Sequence, residues 1–201
     1  PYPELVKVKN RTDSLLASFD KHSLEEIKTA IKEVVEIYKK VDVFSNASCT
    51  TNSITPVAAI IEREFGIQKA MMTTIHSYTA SQALQDAPSK DLREARNAAE
   101  NIVPTSTGAT IAAAKALPAL EGVFQGLSIR VPTPVVSLAD FTFLTKKDTT
   151  IEEVNAVLLK ASKSDRFHGV LSYTEEELVS RDFIGDPHSS IVDSKLTNVV
   201  G

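Results

Sequence analysis

Single residues mark what this 201-residue chain has little of: one cysteine, no tryptophan, two methionines and seven glycines. One cysteine forms no internal disulfide, which suits a reducing compartment and excludes a disulfide scaffold. Seven Gly with nine Pro leave no room for a long low-complexity segment. No run of about 18 apolar residues is present, so no helical membrane span is expected. The N-terminal "PYPELVKVKN" has neither the apolar core nor the small-residue cleavage site of a signal peptide. A cytoplasmic protein is therefore expected. A net charge of −4 with mixed signs offers no basic stripe for a phosphate backbone, so nucleic acid is not expected as a partner. The remaining composition, 42% hydrophobic and 24% charged, is that of an ordinary globular protein with one main domain.

Along the chain, "LVKVK" (5–9) alternates apolar with basic residues and predicts a short strand. Residues 23–40, "SLEEIKTAIKEVVEIYKK", place apolar residues at three- and four-residue spacing behind a capping box of Ser23 and Glu26, which predicts an amphipathic helix. "VDVFS" (41–45) reads as a strand, and "SITPVAAIIEREFG" as a helix with Pro56 near its first turn, ending at Gly66. Strands are expected in "IQKAMMTTIHSYT", on both sides of "PTP" after Gly126, and around "GVLSYT" and "SSIVDS". "KDLREARNAAEN" reads as a short charged helix or loop. Helices are expected in "STGATIAAAKALPAL", ending before Pro118, and in "TIEEVNAVLLKASKS", capped by Thr150 with two acids in its first turn. Strands alternating with helices predict an α+β or α/β-like fold on a mixed sheet.

The segment "SNASCTTN" (45–52) sets Cys49 among hydroxyl and amide side chains at the start of a predicted helix, where unpaired N–H groups favour thiolate. A packing cysteine more usually sits among aliphatic neighbours. A reactive and a structural thiol both remain open on this pattern. A nucleophile also needs a base, and His76 at the end of a predicted strand is the candidate, whereas His22, His168 and His188 read as surface or loop residues. No C-x-x-C or H-x-x-x-H spacing occurs, so no metal site is expected. "TSTGA" (105–109) precedes a helix and suits either a cap or an anion cradle. Arg130, where a strand meets a proline turn, offers a guanidinium to phosphate or to a salt bridge.

"SNASCTTN", "HSYT", "NIVPTSTGA", "IRVPTP" and "GDPHSS", in this order, closely resemble the catalytic domain of phosphorylating glyceraldehyde-3-phosphate dehydrogenase, over about residues 43–201. The resemblance implies the fold of that domain: a mixed, largely antiparallel sheet with helices on one face. It implies that Cys49 attacks the aldehyde of glyceraldehyde 3-phosphate, that His76 is the base, and that hydride passes to NAD. Inorganic phosphate then releases an acyl phosphate. It further implies two anion sites, carried here by Ser48, Thr50, Thr79, Arg93, Thr107, Gly108 and Arg130, with Arg96 competing for the place of Arg93.

The chain departs from the pattern at Ile111 (usually Lys), Val135 (usually Asn) and Ala80 (commonly Asn). Residues 1–42 contain no G-x-G-x-x-G, and the sequence reaches "TNVVG" before the family's closing strand and helix, so NAD binding is expected to need another chain or domain. Residues 1–42 are then an N-terminal strand and helix, either rearranged or engineered to replace the last strand and cover an exposed face, or a natural extension. Two functions are compatible with this reading: a dehydrogenase catalytic domain at 43–201, or a silent module that keeps the site and at most residual thiol or esterase chemistry. The family's tetramer buries its sheet against a neighbour, so a homo-oligomer through the sheet face is expected unless residues 23–40 cover it.

Overall fold

A computed structural model describes residues 45–200 together with Thr29, Lys32, Glu36 and Lys39. Thr29, Lys32 and Glu36 are helical, and Lys39 donates to Glu36 across one turn at 2.6 Å. The expected strand at 5–9, its pairing with the C-terminal strands, the strand at 41–45 up to residue 44, and the rest of the 23–40 helix lie outside the described residues. The chain divides into two units between Asn46 and Ala47, and every strand of the described residues belongs to the second.

Helix α1 runs Cys49–Phe65 and is followed by strand β1, Ile67–Ser77. The helix starts four residues before the expected Ser53, because Ser48 caps it: its hydroxyl accepts the N–H of Thr51 at 3.0 Å. Pro56 accordingly lies inside the helix rather than in its first turn. At the other end Gly66, with φ of 68°, turns the chain from helix into strand and sends its N–H back to Glu62.

Strand β2 (Val103–Thr105), helix α2 (Ala109–Ala116), strands β3 (Phe124–Val131) and β4 (Ser137–Thr145), helix α3 (Ile151–Ser162) and strands β5 (Leu171–Thr174) and β6 (Ser190–Asp193) complete the order. One sheet has the order β2-β3-β1-β4, with β1 parallel to β3 and the two outer pairings antiparallel. This is the mixed α+β arrangement expected from the sequence. β2 was not foreseen: Pro104 lacks an N–H and is tolerated because β2 is an edge, paired on one side only. β5 and β6 form a separate parallel pair. "KDLREARNAAEN" forms turns rather than a helix.

The period of two in β1 aims Ala70, Met72, Thr74 and His76 at the helices, beside Phe141 and Phe143 of β4 and Phe124 of β3. Ile54, Ala58 and Ile61 of α1, with Ala109 and Ala113 of α2, close this core. A second cluster gathers Ile60, Leu158, Ala161, Phe167 and Leu171, and Val57, Val154 and Val157 touch both. α3 owes its start to a complete capping box between Thr150 and Glu153. On the opposite sheet face Met71, Leu127, Leu138 and Leu144 are exposed. Among the described residues no helix is long and apolar enough to cross a membrane.

Candidate active site

Cys49 is the first residue of α1, exposed, and directly follows the Ser48 cap. The chain enters this position through Ala47, whose φ of 56° lies in the left-handed region that side chains other than glycine rarely adopt. The cap is reinforced from several sides. Ser48 and Thr51 share a hydroxyl hydrogen bond at 2.7 Å, and the Asn52 side chain donates to the Ser48 carbonyl at 2.8 Å. The thiol is thus held at the positive end of a 17-residue helix by contacts that fix its own backbone.

His76 reaches the same point from the sheet. It ends the inward-facing row of β1, with 8% of its surface exposed, and the parallel register sets it directly beside Arg130 of β3. Its Nε2 lies 3.4 Å from Cys49 Sγ. Its Nδ1 lies 2.7 Å from the Ser77 carbonyl oxygen, 2.6 Å from Arg130 Nη1 and 3.4 Å from Ser77 Oγ. Arg130 Nη1 also donates to the Ser77 carbonyl at 3.3 Å, while its Nε is buried without a partner. One imidazole edge therefore faces a nucleophile and the other a carbonyl and a cation. That arrangement can move a proton between sulfur and nitrogen.

Of the nine side chains and backbone positions expected at the site, hydrogen bonds join three among the described residues: Cys49, His76 and Arg130. Ser48 and Thr50 flank the thiol on α1. Thr79 follows β1, and its N–H donates to Gln82 Oε1 at 3.0 Å. Thr107 accepts the Ala109 N–H at 3.2 Å and Gly108 stands at the N-cap of α2, with open space where a Cβ would be. Thr107 thus turns its hydroxyl back on the chain beside the N-cap, and α2 carries no side-chain cap. Arg93 is exposed in the loop after β1, while its competitor Arg96 is held by Asp86 at 2.9 Å. The Ser77 carbonyl was missed, because a motif read by its side chains does not display a backbone acceptor. Among the described residues no three of His, Cys, Asp and Glu gather as a metal site would require.

The family described as "Glyceraldehyde 3-phosphate dehydrogenase, C-terminal domain" matches residues 48–201. The chain is 52% identical over 158 residues to a glyceraldehyde-3-phosphate dehydrogenase of Zymomonas mobilis, covering 79% of this chain and 47% of that protein. It is 51% identical over 158 residues to the enzyme of Geobacillus stearothermophilus, with the same coverage of 79% and 47%. With that of Borreliella burgdorferi it is 48% identical over 179 residues, 88% of this chain and 53% of the relative. The chain spans about half the length of the curated relatives it matches, and by this match, together with the helix that carries the cysteine and the mixed sheet that carries the histidine, it belongs to the glyceraldehyde-3-phosphate dehydrogenase C-terminal domain family.

Proposed function

We propose that this chain carries the aldehyde-handling part of a phosphorylating glyceraldehyde-3-phosphate dehydrogenase, a glycolytic oxidoreductase. The contact of Cys49 Sγ with His76 Nε2 at 3.4 Å, at a capped helix N-terminus, carries this reading. His76 takes the thiol proton and Cys49 Sγ bonds to the aldehyde carbon of glyceraldehyde 3-phosphate. The carbonyl oxygen becomes an oxyanion and recovers a proton from the imidazolium, giving a thiohemiacetal. Arg130 binds the substrate phosphate, its unpartnered buried Nε marking unused donor capacity. The open space beside Gly108 and the hydroxyls of Ser48, Thr50, Thr79 and Thr107, with Arg93, hold phosphate groups.

In the complete enzyme the product is an acyl phosphate, formed with inorganic phosphate and with NAD as hydride acceptor. The described residues do not fit a dinucleotide. The side chains of Ser48 and Thr150 cap α1 and α3, α2 carries no side-chain cap, and no G-x-G-x-x-G precedes any of the three in the sequence. The apolar outer sheet face, with Met71, Leu127, Leu138 and Leu144, is the surface proposed for self-association.

The test is alkylation of Cys49 by iodoacetamide as a function of pH, in wild type and His76→Ala, with and without NAD. Faster alkylation near neutrality in wild type than in the variant supports an activated thiol. Identical profiles in both proteins overturn it and leave a folded module with an inert cysteine.

A further inference from the structure

Among the described residues four buried side-chain polar atoms have no hydrogen-bond partner: Thr74 Oγ1, Gln82 Nε2, Ser128 Oγ and Arg130 Nε. Three of them belong to one patch of the sheet. Thr74 and Ser128 stand opposite each other on β1 and β3, and the next residues on the same face, His76 and Arg130, stand opposite each other in turn. Thr74 and Ser128 thus continue the rows that carry the site, at 1% and 2% exposure. Paired strands lie about 4.8 Å apart, yet the two hydroxyls do not bond each other. Two buried polar groups held in that way suit a bridging water.

We propose that Thr74 Oγ1, Ser128 Oγ and Arg130 Nε hold one internal water, and that through it Thr74 and Ser128 position Arg130. Three polar partners are the usual complement of a buried water. It accepts the Nε–H and exchanges hydrogen bonds with both hydroxyls. The neighbours in the same row offer no substitute. Ala139, beside Thr74, has only a methyl group, and Thr105, beside Ser128, donates its hydroxyl to Glu94 Oε1 at 2.9 Å. That carboxylate sets a negative charge at the end of the row, so the occupant is neutral rather than an anion.

The guanidinium is planar, so holding two of its nitrogens holds all three. Nη1 lies 2.6 Å from His76 Nδ1 and donates to the Ser77 carbonyl at 3.3 Å. With Nε bonded to the water between the strands, Nη2 is the donor left for a phosphate oxygen. Arg130 then meets its ligand already oriented, and binding does not have to order a long side chain. Thr74 and Ser128 touch no substrate atom in this arrangement; they are positioning residues.

This inference rests on the reading of Arg130 as a phosphate ligand, and the experiment separates the two. The full 201-residue chain, labelled with nitrogen-15 in arginine, is titrated with inorganic phosphate at constant ionic strength. The Arg130 Nε–H signal, assigned by its loss in Arg130→Met, reports phosphate through its shift and the internal water through cross-relaxation with a long-lived water proton. Thr74→Val keeps the shape and removes the hydroxyl, whereas Thr74→Ser keeps the hydroxyl and removes a methyl group. Thr74→Val is expected to lose the water signal and to bind phosphate roughly three- to tenfold more weakly, as loss of one hydrogen bond would cause. Thr74→Ser is expected to retain both. Ser128→Ala is expected to match Thr74→Val, and it carries the test if that variant does not fold. Absence of the water signal in wild type overturns the proposal. A Thr74→Val that binds phosphate like wild type also overturns it, as does a Thr74→Ser as weak as Thr74→Val, which would mark packing. Phosphate that leaves Arg130 unshifted in wild type overturns the phosphate reading alone, because the water signal and its loss in Thr74→Val are read without phosphate.

Discussion

Gly126 and Thr110 touch where the sheet meets α2: a Cβ on Gly126 would lie 2.8 Å from Thr110 Cγ2 and 3.0 Å from the Met72 carbonyl oxygen. The glycine is therefore required by close approach, not by backbone conformation. Gly126→Ala is expected to push the first turn of α2, and with it Thr107 and Gly108, away from β3. The cost is about 1–3 kcal/mol, as for other overpacked interiors. Urea unfolding checks it, and Gly126→Ala combined with Thr110→Ser, which removes Cγ2, is expected to recover part of the loss. No recovery would place the strain at the Met72 carbonyl instead.

Ser48 ties the stability of α1 to the placement of the thiol. Its hydroxyl satisfies the Thr51 N–H and bonds Thr51 Oγ1, so Ser48→Ala is expected to cost about 1 kcal/mol through loss of the cap. Cys49 lies in the frayed turn that results, so its alkylation by iodoacetamide is expected to lose the dependence on His76. A variant as stable as wild type would show that the Asn52 side chain and the helix itself suffice.

How much of this was legible in the sequence depended on whether the determinant was local. α3 could be read to its first residue, because Thr150 and Glu153 cap it by themselves. The start of α1 could not: "CTTN" has no apolar period, Pro56 suggests a first turn, and only the Ser48 side chain shows that the helix begins at Cys49. β2 is a strand solely because β3 runs beside it, a contact that no propensity of Pro104 announces. Cys49 and His76 were each marked by residue type and setting, yet their contact spans 27 residues. The approach of Arg130 to His76 spans 54 and comes from the parallel β1–β3 register. Tertiary pairing of that kind leaves no trace in spacing.

Asp86 carries a pH dependence away from the site. The N–H of Asn97 at 2.9 Å, supported by the Arg96 cation, holds its carboxyl below the usual carboxylate range. The folded loop thus binds a proton less readily than the unfolded chain. Its contribution is complete above the unfolded value of about 3.9 and is lost as pH falls through the lower folded value. Amide exchange at Asn97 is expected to quicken over that interval, and to be fast at every pH in Asp86→Ala. Protection unchanged by the substitution would show that the Ala87–Ala95 and Ala83–Ala98 backbone bonds hold the loop alone.

Ile54 and Leu171 separate stability from site geometry. Both are fully buried, Ile54 at 0% and Leu171 at 1% exposure, and either substitution to alanine is expected to cost about 2–5 kcal/mol through lost burial and a cavity. Ile54 anchors the N-terminal half of α1 in the cluster shared with Met72 and Phe124, under the strands that carry His76 and Arg130. Leu171 belongs to the other cluster, with Phe167 and Leu158. Under conditions where both variants remain folded, Ile54→Ala is expected to slow Cys49 alkylation and Leu171→Ala to leave it at the wild-type rate. Equal slowing in both would mean that the two clusters act as one body through Val57, Val154 and Val157, and that the position of the thiol is set by the whole core rather than by the packing of its own helix.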